Sequence, residues 1–311
     1  MTLFQLLVLS RWLHFAAVFV LFGSSFFWLY VRHEWLSLGP GALPRALHAT
    51  SILLRAAAPV AVLSGIAWLA EILANMAGGW DSVFDPNTLR TFFFATQFGP
   101  VAVLRLILLV AAMAIALMPS ASRAWFTALV CVATLLLISQ AWLGHAAEGG
   151  AGAYGIVMII AYSLHILAAA AWVGGLVPLL LAFAELRHVD PHEARARTLY
   201  IMSRYSLMAM AAVTVILVSG IANASFRVAG AFDKLFWTAY GNVLTAKLVM
   251  VAPMLALAYV NRFIAMPRLR IAAAEGIMQT DLLRVSVVLE LTLGVLVLGT
   301  AAILGITAPP Q

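Results

Sequence analysis

Charged side chains are scarce in this sequence. Asp, Glu, Lys and Arg make up 10% of its 311 residues, where soluble domains carry about 25%. Hydrophobic residues make up 64%, more apolar surface than a water-soluble fold can hide. Lipid offers no partner to backbone N–H and C=O groups, which leaves helices or closed barrels. The apolar runs are long and continuous, not short and alternating, so helices are expected. Cysteine is nearly absent: Cys131 is the only one, which excludes an intramolecular disulfide and any Cys-based metal cluster. A metal would have to be held by His, Met, carboxylate or backbone. The chain also lacks a phosphate loop, a Ser-His-Asp set and a zinc-protease motif, so ATP-driven and hydrolase readings have no footing. The apolar residues 2–10 lack a basic leader and an Ala-x-Ala cleavage site, and are expected to be retained.

The hydropathy pattern predicts an all-α integral membrane protein of eight spans, near residues 4–30, 51–75, 96–118, 124–145, 155–183, 206–225, 240–263 and 284–306. Eight spans put both termini on one face. Loops of the opposite face carry Arg32, Arg45, Arg123, Arg187, Arg195, Arg197, Arg262, Arg268 and Arg270, whereas the terminal face has Arg90, Arg227 and Lys234. Positive residues stay cytoplasmic, so the expected location is a bacterial inner membrane with both termini periplasmic. The formal charge of +6 is thereby a topology signal in a lipid-embedded chain and does not imply nucleic acid.

The sequence repeats itself. Leu13-His14 with Gly23 nine residues on matches Leu164-His165 with Gly174 nine residues on. Ser64-Gly65-Ile66-Ala67 recurs as Ser219-Gly220-Ile221-Ala222, and Phe98-Gly99 with Arg105-Leu106 recurs as Tyr240-Gly241 with Lys247-Leu248. The order and internal spacing agree. Residues 1–150 and 151–311 are therefore expected to be two parallel four-helix repeats related by a pseudo-two-fold axis along the membrane normal, with His14 and His165 as mates.

Of seven histidines, His33, His48, His188 and His192 fall in arginine-side loops and are discounted. His14, His145 and His165 sit in or at the rim of spans, where a polar ring is costly unless paired or functional. With Arg11 snorkelling to the headgroups, His14 lies about one turn inside; the repeat puts His165 at a similar depth, and His145 ends the fourth span on the same face. These three are the candidate metal ligands. Met158, two turns before His165 on the same face, is the sulfur candidate, with Tyr162 between them. Imidazole with thioether suits copper. Arg105, Lys247 and Glu290 are further intramembrane charges, each readable as a structural residue or as a pathway wall. Met250 and Met254, which share the face of Lys247, read as core packing, with a thioether path as the alternative.

The segment Trp142-Leu143-Gly144-His145-Ala146-Ala147, followed by Tyr162-Ser163-Leu164-His165 and Ala171-Trp172-Val173-Gly174-Gly175-Leu176, resembles the central signature of the copper-resistance protein D (CopD) family. The resemblance implies an inner-membrane protein that handles copper, works with a periplasmic copper-binding protein of the CopC type and moves copper inward. No Met/His-rich carrier domain is evident, so a separate partner would deliver the ion. A second reading stays open: a membrane redox protein, the one enzymatic option, in which His14 and His165 ligate one b-type haem axially. A third is a purely structural subunit.

The topology has a direct check. A reporter fused to the C-terminus is expected to be active only when it works outside the cytoplasm; activity confined to a cytoplasmic reporter would invert the assignment of faces.

Overall fold

The structure, a computed structural model, describes residues 1–35, 43–143, 152–228, 237–274 and 281–309. These form helices α1 (Leu3–Trp35), α2 (Pro44–Ala77), α3 (Pro86–Ala95), α4 (Gly99–Leu117), α5 (Arg123–Ser139), α6 (Ala153–Leu186), α7 (Pro191–Val228), α8 (Ala239–Val260), α9 (Met266–Ala274) and α10 (Asp281–Leu304). Eight of the helical segments are long and apolar enough to cross a membrane. No strand occurs among the described residues. An even number of crossings returns the chain to its starting face.

Apolar residues appear on both sides of most helices, as a lipid solvent requires. Leu63, Ile66, Ile107, Val110, Val218, Ile221, Leu248 and Val249 point outward, where they meet acyl chains. The inward faces of α1 and α6 are the most enclosed, and these two helices cross at the centre. Their contact is backbone on backbone. A Cβ added at Gly23 would lie 2.2 Å from the Ala170 carbonyl oxygen, and one at Gly174 would lie 2.1 Å from that of Phe19. Ser24 Oγ donates to the Gly174 carbonyl at 3.2 Å across the same crossing. Small residues allow this approach, and packing contacts of this kind drive helix association in lipid.

Several helix ends are held by particular side chains. Glu185 of α6 accepts from the backbone N–H groups of Arg45 (3.2 Å) and Ala46 (2.7 Å) at the start of α2; its negative charge there complements the helix dipole. Thr96 Oγ1 accepts from Gly99 N at 3.2 Å at the start of α4, and Thr238 Oγ1 accepts from Gly241 N at 3.1 Å at the start of α8. Asp85 caps α3, accepting from Thr88 N (2.9 Å) and Thr88 Oγ1 (2.6 Å), and these bonds hold its carboxyl below the usual carboxylate range.

The helices depart from the expected spans at several points. Helix α3, with Phe92 buried beside Leu69, Leu73 and Ala102, occupies a stretch expected to be a loop; Asp85-Pro86 is a start signal masked by the polar run around it. Helix α7 begins at Pro191, well before the predicted 206, because the arginine-bearing turns of residues 195–204 remain helical beyond the apolar stretch. Pro100 sits in the first turn of α4, where a missing N–H costs no helical bond.

The crossing yields a stability test. Gly23→Ala is expected to cost about 1–3 kcal/mol by overpacking or to abolish folded protein, read by thermal unfolding in detergent. Gly152→Ala, whose Cβ would meet open space, is expected to be neutral. Equal stabilities would remove the crossing as a constraint.

Candidate functional site

Two histidine pockets lie on opposite sides of the α1–α6 crossing. Both rings stand nine residues before the crossing glycine, which is about 900° of helix, or a half-turn away from it. With Gly23 and Gly174 facing each other, His14 and His165 each point away from the other helix.

His14 is fully buried and projects toward α2 and α4. Its ring fits because position 65 is glycine: a Cβ there would come within 3.1 Å of the imidazole and 2.7 Å of Leu109. Nε2 lies 2.7 Å from Arg105 Nη2, and Nδ1 lies 3.0 Å from the Ala61 carbonyl oxygen. Guanidinium is donor only, so Nε2 accepts and Nδ1 carries the proton that it donates to Ala61. Arg105 also donates through Nη1 to the Leu136 carbonyl and to Ser139 Oγ, both at 2.8 Å. One network thus ties α1, α2, α4 and α5 together. Both ring nitrogens of His14 are occupied, and a cation stands against one of them.

Above this network Trp68 lies between two guanidinium groups, Arg11 at 5.0 Å and Arg105 at 5.2 Å from its ring. Arg11 is buried, not snorkelling as expected. Its side chain packs on Phe15 and Trp68, and an added Cβ at Gly305 would overlap it. Next to Arg11 along the chain, Ser10 Oγ donates to the buried Glu71 carboxylate. Glu71 and Trp68 escaped the sequence reading, although a lone acid within the predicted span 51–75 was the available signal.

His165 is half-buried and faces α7. Its Nδ1 lies 3.1 Å from Ser219 Oγ, and Gly220 leaves the space in which the ring sits, 3.3 Å from an added Cβ. Ser219 Oγ donates to the Val215 carbonyl at 2.5 Å, so Nδ1 is the donor to Ser219. The Nε2 lone pair then remains for another partner. Lys247 of α8 lies within Coulombic reach of the ring. Lys is a flexible point charge without the guanidinium fork, and no hydrogen bond strapping His165 to it is present among the described residues. The local geometry resembles that around His14: Ser64 Oγ donates to Val60 O at 2.5 Å with Ala61 O at 3.4 Å, and Ser219 Oγ to Val215 O at 2.5 Å with Ile216 O at 3.4 Å.

A profile for the copper resistance protein D-like N-terminal domain matches residues 1–156, and one for copper resistance protein D matches residues 199–304. The chain belongs to the copper resistance protein D family. It is 28% identical to copper resistance protein D of Pseudomonas syringae pv. tomato over 307 residues, covering 96% of this chain and 95% of that protein. It is 28% identical to inner membrane protein YebZ of Escherichia coli K12 over 261 residues, 84% of each. It is 32% identical to copper transport protein CutJ of Bacillus subtilis 168 over 246 residues, 76% of this chain and 42% of that protein. The chain therefore spans less than half of the CutJ length. No solved structure matches it.

Of the expected site residues in this CopD-family chain, Met158 is buried on α6, two turns from His165. His145 falls outside the described residues. His14 meets Arg105, and His165 meets Ser219. Among the described residues no group of three His, Cys, Asp or Glu side chains is assembled to hold a metal. Met254 is buried against Val173 and Gly294, as core.

The His14–Arg105 bond can be measured. His14→Ala and Arg105→Leu are each expected to cost about 1–3 kcal/mol by stranding a buried polar partner. The double variant should show a coupling of about 0.5–3 kcal/mol, read by unfolding in detergent. Additive costs would show that the two side chains do not interact.

Proposed function

We propose that this protein carries copper inward across the bacterial inner membrane, with its termini and both histidine pockets toward the periplasm. Copper is the cargo, and His165 is its principal intramembrane contact. The observation that supports this most is the protonation pattern of the two rings. Ser219 fixes the His165 proton on Nδ1 and leaves an sp² lone pair on Nε2, the form in which neutral imidazole binds copper. His14 has no lone pair left. The family membership supplies the metal, and the name of the relative CutJ, a copper transport protein, agrees with it. Met158 is seven residues, about 10.5 Å, outside His165, so the two act as successive stations. His145, which follows the fourth span in the sequence, is the first imidazole that a periplasmic donor of the CopC type would meet.

The two four-helix units, residues 1–150 and 151–311, are read here as parallel repeats with a pseudo-two-fold axis through the Gly23–Gly174 crossing. The matching serine geometry, the matching threonine caps of α4 and α8, and the glycine beside each histidine support that reading. The axial-haem alternative finds less support, because the two rings face away from each other and His14 has both nitrogens engaged.

Copper bound by purified protein tests the assignment. His165→Ala is expected to lose most bound copper while remaining folded, and Met158→Leu is expected to lose less. His14→Ala is expected to lower stability and to leave the copper content of the surviving folded protein near wild type. Undiminished binding in His165→Ala would refute the assignment, and a Soret band with stoichiometric iron would restore the haem reading.

A further inference from the structure

We propose that Glu290 is a proton-binding site that couples copper movement to proton movement. The inference rests on the transport reading above and deepens it.

Glu290 lies about 13 Å inside the arginine-rich end of α10 and is 3% exposed. Asn261 Nδ2 donates to its Oε1 at 2.6 Å. Asn261 itself opens a π turn, Asn261–Ala265, that links α8 to α9. A π turn gives up regular helical bonding and tends to mark working positions; here it coincides with the side chain that meets Glu290. The indole N–H of the buried Trp172 is directed at the same carboxylate without completing a hydrogen bond. Tyr205 of α7 also faces it, with its O–H donated to the Trp172 carbonyl at 2.8 Å.

What the cluster lacks is a fixed cation. The interactions that bear on Glu290 are burial and the contacts of Trp172 and Asn261; no Lys or Arg is among them for the described residues. On α8, Lys247 is fourteen residues before Asn261, about 21 Å away along the helix. Arg262 follows Asn261 in the π turn and Arg284 lies near the start of α10, and neither acts on the carboxylate. On α1, Arg11 and His14 are committed to the Trp68 and Arg105 network. On α6 the contact is Trp172, and on α7 it is Tyr205. A carboxylate anion in lipid without a counter-charge is expensive, so its charge must be neutralised by a mobile cation. Carboxylate, carboxamide and indole offer no soft donor for Cu(I), and Met254, the buried sulfur of α8, is packed on Gly294 and Val173. The proton is the cation that fits.

Protonation forms one O–H bond on the carboxylate with a proton taken from water on the arginine-rich side. Release breaks that bond and returns the proton to water, and the negative charge left behind is balanced by the copper ion arriving in the same four-helix unit. Protein without cargo therefore holds the proton.

Infrared spectra of copper-free protein in lipid are expected to contain a protonated-carboxyl C=O band that is lost at high pH and is missing from Glu290→Gln, an isosteric variant that keeps a partner for Asn261. In proteoliposomes, copper uptake by wild type is expected to change with pH, uptake by Glu290→Gln to lose that dependence, and Glu290→Asp to retain it. No band difference between wild type and Glu290→Gln overturns the proposal. So does a Glu290→Gln uptake profile that follows wild type, or loss of bound copper in Glu290→Gln, which would make the residue a metal ligand. A band difference in a protein that moves no copper keeps the proton site and removes the transport reading, which separates the two failures.

Discussion

The backbone contact between α1 and α6 at Gly23 and Gly174 governs the rest of the structure. Side chains normally keep helices 8–10 Å apart and leave their rotation adjustable. Here an added Cβ at either glycine would fall within about 2.2 Å of a carbonyl oxygen, so neither helix can roll without a clash. Fixing that rotation fixes the azimuth of every residue along both helices. Nine residues before each glycine the histidines are turned outward by a half-turn, His14 toward α2 and α4 and His165 toward α7. The contact that joins α1 and α6 thereby turns the two rings away from each other.

The two pockets differ in the cation beside the ring. Arg105 presents a planar fork, and its donors reach His14, Leu136 and Ser139 together. That network ties α1, α2, α4 and α5 together and uses up the imidazole. Lys247, near His165, has a single charged tip, and no hydrogen bond ties it to His165 among the described residues. Further along, Leu21 stands seven residues beyond His14, fully buried in an apolar core, while Trp172 stands seven residues beyond His165 and meets Glu290. On the proposed reading, the first unit is a braced scaffold and the second carries cargo, with polar groups at both depths where an ion would pause.

Much of this was legible in the sequence because lipid imposes simple rules. Length and hydropathy placed all eight spans, and the signature around Trp142, His165 and Trp172 pointed to the family. The glycine-histidine spacing marked the residues that form both pockets. Orientation of the rings was not legible. Depth follows from rise per residue, whereas facing follows from which side of each helix is buried against its neighbour. The Gly23 crossing decides that, and a sequence does not announce which of its glycines are crossings. The inward fold of Arg11 was hidden for a related reason: an arginine near a span end ordinarily snorkels, and only the placement of Trp68 and Phe15 shows what draws it in. Glu290 was visible as a charge in a span, but its partner Asn261 sits in a π turn, an irregularity that periodicity does not reveal.

On the proposed reading, copper crosses the membrane through the last four spans by way of His165. Uptake of copper into proteoliposomes containing purified protein measures this most directly. The expected result is accumulation in the lumen for wild type, and for a folded His14 variant in proportion to its surviving protein, with background accumulation for His165→Ala. Lumenal copper in His165→Ala equal to wild type, or wild type no better than empty liposomes, would contradict it.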